Sequence, residues 1–169
     1  SDLTIKIIGD YSGTILISGI FSTGNIYNSN IIIEGITQNK DNHNISVLRM
    51  TNVLVPITVR HLTINSNTFN SIVACLAPTF QYVTINVNSA TQPAIQCVKG
   101  NLTVRNSEIN STGHACIIAD ELGVVFSRDN TGQGNWGLYA FPGGTIIKRG
   151  TQPTGTVSDE IVSEGGLIR

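Results

Sequence analysis

The sequence predicts an all-β protein, a right-handed parallel β-helix of about seven rungs. Three observations carry that prediction. Helical periodicity is nearly absent, and short runs that alternate apolar with polar residues follow one another between Gly, Asn, Pro and Ser. The composition suits pleated surfaces and turns: Ser, Thr, Asn and 17 Gly are abundant, and charged residues make up 12%, against ~25% in ordinary soluble domains. One phrase also recurs. ITVRHLTINSN (57–67) returns, loosened, as LTVRNSEINST (102–112), with VTINVNSA (83–90) between them. Repeats of roughly 20–30 residues built of strand and turn mark a solenoid, and the handedness follows the rule for parallel crossovers.

Seven strands align on that phrase: LTIK at 3, IIIE at 31, ITVR at 57, VTIN at 83, LTVR at 102, VVFS at 124 and TIIK at 145. Strand alternation sends the first and third positions inward, where Leu3, Ile31, Ile57, Val83, Leu102, Val124 and Thr145 stack beside Ile5, Ile33, Val59, Ile85, Val104, Phe126 and Ile147. The second position faces out as a Thr column, interrupted by Ile32, Val125 and Ile146. The fourth, also outward, reads Lys6, Glu34, Arg60, Asn86, Arg105, Ser127 and Lys148.

A second strand per rung aligns in IVACLAP (72–78), AIQCVKG (94–100), CIIADE (116–121) and GLYAFPG (137–143). It sets Cys75, Cys97, Ala119 and Ala140 in a small-residue column and Val73, Ile95, Ile117 and Leu138 in a large one. Between the two strands, Asn65-Ser66, Asn88-Ser89 and Asn110-Ser111 predict a stacked corner whose amides satisfy free backbone groups. The first rungs are longer. Residues 9–30 are expected to hold an extra strand pair, TILISG and IFSTGNIY, and TQNKDNHN (37–44) a polar excursion; both could be antiparallel. The solenoid spans 1–150, and 151–169 is expected to lose the register as a C-terminal cap or a contact with another chain.

The net charge of −1 gives no reason to expect nucleic acid, and no apolar run reaches the ~18 residues of a membrane span. Cys75, Cys97 and Cys116 lack disulfide or zinc spacing and read as small buried residues. The sequons at Asn44, Asn101 and Asn110 are of the number expected by chance from 17 Asn.

Two constellations suggest chemistry. Neighbouring rungs lie about 4.8 Å apart, so Glu34 falls between Lys6 and Arg60, and beyond it Arg60, Asn86, Arg105 and Lys148 form a positive stripe able to track an anionic polymer. A solvated face of ion pairs worth under about 1 kcal/mol each is the competing reading. Glycosidases need two carboxylates roughly 5–10 Å apart. Among Glu34, Asp41, Glu108, Asp120, Glu121 and Asp129, the nearest approach to such a pair is Glu108 with Asp129, on adjacent rungs. His43, His61 and His114 show no triad or metal spacing. GQGNWG (132–137) matches a dinucleotide fingerprint in letters, but strand and not helix follows it. The same loop sets Trp136 and Tyr139 near Gly-rich backbone, which suits sugar stacking.

The Thr/Ile/Val rungs, the Asn-rich corners and the end GLYAFPGGTIIKRGTQPTG resemble the distal part of a bacteriophage tail spike, and more narrowly the pre-neck appendage proteins of small Bacillus podoviruses. The resemblance implies a homotrimer of β-helices in the virion, made in the host cytoplasm. It implies binding of a host cell-surface glycopolymer, teichoic-acid-like among the candidates. In many relatives it also implies degradation of that polymer, so a lyase or hydrolase of pectinase-like fold is the alternative. It further implies a C-terminal chaperone that cleaves itself off, which the end GGLIR fits. Nucleotide (ATP) takes part in some such assemblies, but no residue here places an ATP site.

Overall fold

A computed structural model describes residues 3–9, 11–19, 30–35, 43–68 and 70–169 of the chain. They form two parallel sheets. The first stacks β1 (Leu3–Ile7), β3 (Ile31–Gly35), β5 (Ile57–Arg60), β8 (Thr79–Gln81), β11 (Asn101–Arg105), β14 (Val124–Arg128), β16 (Thr145–Arg149) and β18 (Leu167–Ile168) in chain order. The second is wound between them. It holds β2 (Tyr11–Ser18), β4 (Asn44–Thr51), β6 (Thr63–Ser66), β7 (Asn70–Val73), β9 (Thr84–Val87), β10 (Ile95–Val98), β12 (Glu108–Ser111), β13 (Ala115–Asp120), β15 (Gln133–Ala140) and β17 (Thr154–Val162). Every pairing is parallel and joins one coil to the next, so the chain is a parallel β-solenoid of about six turns.

Coils differ in cross-section. β4 heads two columns at once: its start pairs with β6 and its end with β7. The coils below therefore have three strands, β6–β9–β12 forming one wall of the second sheet and β7–β10–β13 the other. From β15 onward the two walls merge again into one long strand.

The core is the inside of this coil. Ile57, Leu102, Val125 and Ile146 form one inward column, Val59, Phe80 and Val104 the next, and all are at most 1% exposed. Each large aliphatic or Phe side chain buried this way contributes about 1.5–3 kcal/mol. Two asparagines sit inside as well, with their amides used. Asn70 accepts from Leu48 N (2.9 Å) and donates to Ala94 O (3.0 Å); Asn130 accepts from Ser107 N (3.1 Å) and donates to Val104 O (2.9 Å).

Several expected registers are corrected. VTIN at 83 does not stack on ITVR. Residues 84–87 belong to the second sheet, between β6 and β12, and TFQ at 79–81 takes the vacant place in the first. Both strands of a coil carry the same alternation, so alternation alone does not tell one from the other. The next two strands slip by one residue. Val125 and Ser127, then Ile146 and Lys148, face in; Phe126 and Arg128, then Ile147 and Arg149, face out. VVFS and TIIK are apolar at both parities, which left the choice open. In the second sheet, Cys97, Ala119 and Ala140 stack as expected and so do Ile95, Ile117 and Leu138, but Ile72 and Asn70 stand where Cys75 and Val73 were placed. β2, containing TILIS, is parallel to β4 and not an antiparallel excursion. IFSTGNIY and most of TQNKDNHN, with Asp41, lie outside the described residues.

Residues 151–169 keep the register where its loss was expected. β17 pairs with β15 across one bulge and β18 with β16, adding a further coil. That coil ends the core with charge. Lys148 lies in the column of Val104 and Ser127, Glu160 in that of Leu138, and Lys148 Nζ donates to Glu160 Oε1.

Candidate functional site: an aromatic groove and an arginine file

Five strands of the first sheet, β5, β8, β11, β14 and β16, end in an outward long polar residue followed by a corner in the left-handed region. The corners are His61 (φ 54°), Tyr82 (53°), Asn106 (49°), Asp129 (50°) and Gly150 (66°). Left-handed backbone is costly for residues with a Cβ, and its recurrence coil after coil is the device that turns the chain. The His61 and Tyr82 rings stack with centroids 5.6 Å apart and planes 3° from parallel.

The residues before these corners, Arg60, Gln81, Arg105, Arg128 and Arg149, form one file, which Glu34 and Lys6 continue by register. Arg60 and Arg105 stand in it as expected. Asn86 and Lys148 do not, for the reasons of register given above. Glu34 bridges Lys6 (3.0 Å) and Arg60. Burial opposes its ionisation, but the hydrogen bonds and charges of Arg60 and Lys6 outweigh that and hold its carboxyl below the ordinary range. Gln81 Oε1 accepts from Arg105 Nε (3.0 Å) and Nη2 (2.6 Å), and Arg128 Nε donates to Asp129 Oδ2 (3.0 Å).

Asn86 belongs instead to a ladder on the second sheet. Asn110 Nδ2 donates to Asn86 Oδ1 (2.9 Å), Asn86 to Asn65 (2.9 Å) and Asn65 to Asn44 (3.2 Å). An Asn ladder therefore exists, but not at the expected corner and not through Asn88: Asn65, Asn86 and Asn110 stand on β6, β9 and β12, and their Nδ2 groups donate to the side-chain amide one coil earlier instead of to free backbone groups.

Trp136 and Tyr139 meet in a groove of about 380 Å³ on the outer face of β10, β13 and β15. An edge-to-face row runs along it: His114 to Trp136 at 5.1 Å, Trp136 to Tyr139 at 5.7 Å and Tyr139 to Phe141 at 5.4 Å. Gln96 Nε2 donates to Asp120 Oδ2 (2.9 Å) on the floor. The other Asp120 oxygen, Oδ1, is buried without a partner, and so are Trp136 Nε1 and His114 Nδ1. Burial holds the His114 imidazole below its ordinary pKa, which keeps it neutral at pH 7. Buried polar atoms are nearly always satisfied; here three unpartnered ones, a donor, an acceptor and an imidazole nitrogen, belong to residues that line one groove.

The proposed catalytic carboxylates are engaged separately. Glu108 lies opposite Thr84 and Thr131 and accepts from Asn110 Nδ2 (3.1 Å), whereas Asp129 sits at its corner with Arg128. Among the described residues, no three His, Cys, Asp or Glu come together at metal-binding distance. In GQGNWG, Gly132 precedes β15, and Gly134 and Gly137 lie within it: at Gly137 a Cβ would fall 2.1 Å from the Pro153 carbonyl oxygen.

Sequence reasoning named Trp136, Tyr139, Arg60 and Arg105, which the structure places in the groove and the file, but missed Gln81, Arg128 and Arg149, and the groove's His114, Gln96 and Phe141. One signal would have found the file. Arg60-His61, Gln81-Tyr82, Arg105-Asn106, Arg128-Asp129 and Arg149-Gly150 recur at spacings of 21, 24, 23 and 21 residues, each a long polar residue before a corner. Compared with known family models, curated proteins and solved structures, the chain matches none significantly.

Proposed function

We propose that this chain is a structural and adhesive module of a phage tail spike or appendage, binding a host cell-surface glycopolymer during adsorption. The observation that supports it is the groove, where His114 Nδ1, Asp120 Oδ1 and Trp136 Nε1 stand unpartnered beside a row of rings. A sugar offers an apolar face to stack on aromatic surface and hydroxyls that both give and accept hydrogen bonds. The Trp136 N–H and the Asp120 oxygen are the matching donor and acceptor. The module works as a homotrimer, and the exposed Leu3, Ile5, Ile8 and Leu16 of the first coil are apolar surface a second copy would cover.

The alternative is a wall-polymer depolymerase, favoured by the presence of a free carboxylate oxygen and a neutral imidazole in the same groove. Incubation with purified wall polymer, assayed for retention and for soluble fragments, separates the two. Trp136→Ala and Asp120→Asn are expected to lose retention about tenfold, in line with one lost stacking or charged hydrogen-bond contact. Unchanged retention in both variants sinks the groove as the site. Fragment release abolished by Asp120→Asn makes the protein an enzyme. Sedimentation that returns only monomer at micromolar concentration removes the trimer.

A further inference from the structure

The arginine file has two halves built differently. In the first, cations and acceptors alternate: Glu34 lies between Lys6 and Arg60, and Gln81 accepts from Arg105. In the second, Arg105, Arg128 and Arg149 are direct register partners on three consecutive coils. Like charges directly opposite one another in a sheet are unfavourable. Among the described residues the carboxylate paired with this row is Asp129, held by Arg128. Among the described residues no carboxylate pairs with Arg149. The first half demonstrates that this architecture can place an acceptor at every other coil; the second leaves the places to arginine. In the neighbouring outward column, the Thr residues at 58, 79 and 103 give way to Phe126, 43% exposed, and Ile147. Apolar ring surface therefore lies beside the guanidinium row.

We propose that Arg105, Arg128 and Arg149 form a binding track for an anionic polysaccharide whose oxyanion groups repeat along its chain, with Phe126 as the surface on which a sugar ring rests. A guanidinium is a planar fork that grips carboxylate, sulfate or phosphate through two parallel hydrogen bonds. Three forks fixed on a rigid sheet at about 4.8 Å intervals favour a repeating polyanion over a single ion. The track lies on the opposite sheet from the aromatic groove and stands whether or not that groove binds sugar. The groove's own free acceptor, Asp120 Oδ1, repels acidic groups, so the two surfaces suit different parts of a ligand.

The test measures binding of the full chain, at low ionic strength, to polygalacturonate, dextran sulfate, dextran phosphate and uncharged dextran. Wild type is expected to bind at least one charged polymer and not dextran, with affinity falling as salt rises. Arg128→Gln/Arg149→Gln is expected to weaken that binding about tenfold or more with its thermal unfolding unchanged, while Lys99→Gln, which removes a cation elsewhere, leaves it intact. The order among the three polymers identifies the oxyanion as carboxylate, sulfate or phosphate. Should the double variant fold poorly, Arg149→Gln, which breaks no ion pair, carries the comparison. Failure to bind any charged polymer, equal retention of dextran, wild-type affinity in the arginine variants, or tighter binding of single-stranded DNA than of every charged glycan overturns the proposal.

Discussion

At Gly132 the backbone takes φ +128°, and a Cβ built there would lie 1.9 Å from the Ile109 carbonyl oxygen. Neither the angle nor the space admits a side chain. Gly132→Ala is expected to cost about 2–3 kcal/mol or more, read as a lower midpoint in urea unfolding; an unchanged midpoint refutes the close approach of these coils. The thiols of Cys97 and Cys116 are fully buried, and burial pushes each up to about 12. Their folded values stand above the unfolded value, so the stability they contribute is present in full below about pH 9 and is lost as pH rises towards 12. Thiol reagents at pH 8 should leave both unmodified until the protein unfolds, and rapid native-state labelling of either would contradict that burial.

Elements are held by ladders as well as by the core. The amides of Asn65, Asn86 and Asn110 each donate to the Asn one coil earlier, ending on Asn44 Oδ1, and Asn110 Oδ1 accepts from Gln133 N (3.0 Å) at the other end of the row. Asn86→Ala removes a donor and an acceptor from the middle and is expected to lower stability by about 1–2 kcal/mol, against nearly none for Asn67→Ala beside it, in paired unfolding curves. It is at this scale that the sequence was legible and then ceased to be. Alternation of β-branched residues identified the strands, and the inward columns of Ile57, Val59, Leu102 and Val104 followed from it. What alternation does not encode is which wall a strand joins, so VTIN was read into the wrong sheet. Asn86 was carried with it, from the ladder into the file. Left-handed corners follow strands of both sheets, at Tyr82, Asn106 and Asp129 in the first and at Ala74, Lys99 and Glu121 in the second, and none of these residues announces the corner as glycine would. The groove was half legible for a similar reason. Trp136 and Tyr139 are close in the chain, but His114 and Gln96 come to them only through coil-to-coil register.

For the whole stack of described strands, the outermost ones, such as β1 and β18 of the first sheet, have a partner on one side only. At the C-terminal end the coil of β17 and β18 covers Leu138 and Ile146, and the Lys148–Glu160 pair closes the core behind it. Removal of residues 151–169 would open that core and leave the edges of β15 and β16 unpaired. Such a truncation is expected to self-associate or aggregate where the full chain does not, as seen by light scattering at equal concentration. A truncated chain as soluble and as stable as the full one would show that the last coil is not a lid. Lys148→Met should behave differently again: it leaves the last coil in place but strands Glu160 over Leu138, destabilising without exposing an edge.

The coil length has a kinetic consequence. Successive strands of the first sheet pair at offsets of 26, 21, 24, 23, 21 and 22 residues, from Ile31 through Ile57, Thr79 and Thr103, Leu102 and Val125, to Ile146 and Ile168. No pairing among these has to wait for a distant part of the chain, so every loop closed during folding has nearly the same entropy. Folding then resembles the growth of a row more than the collapse of a globule. It starts wherever one coil first closes on the next, and each finished coil is the template for its neighbour.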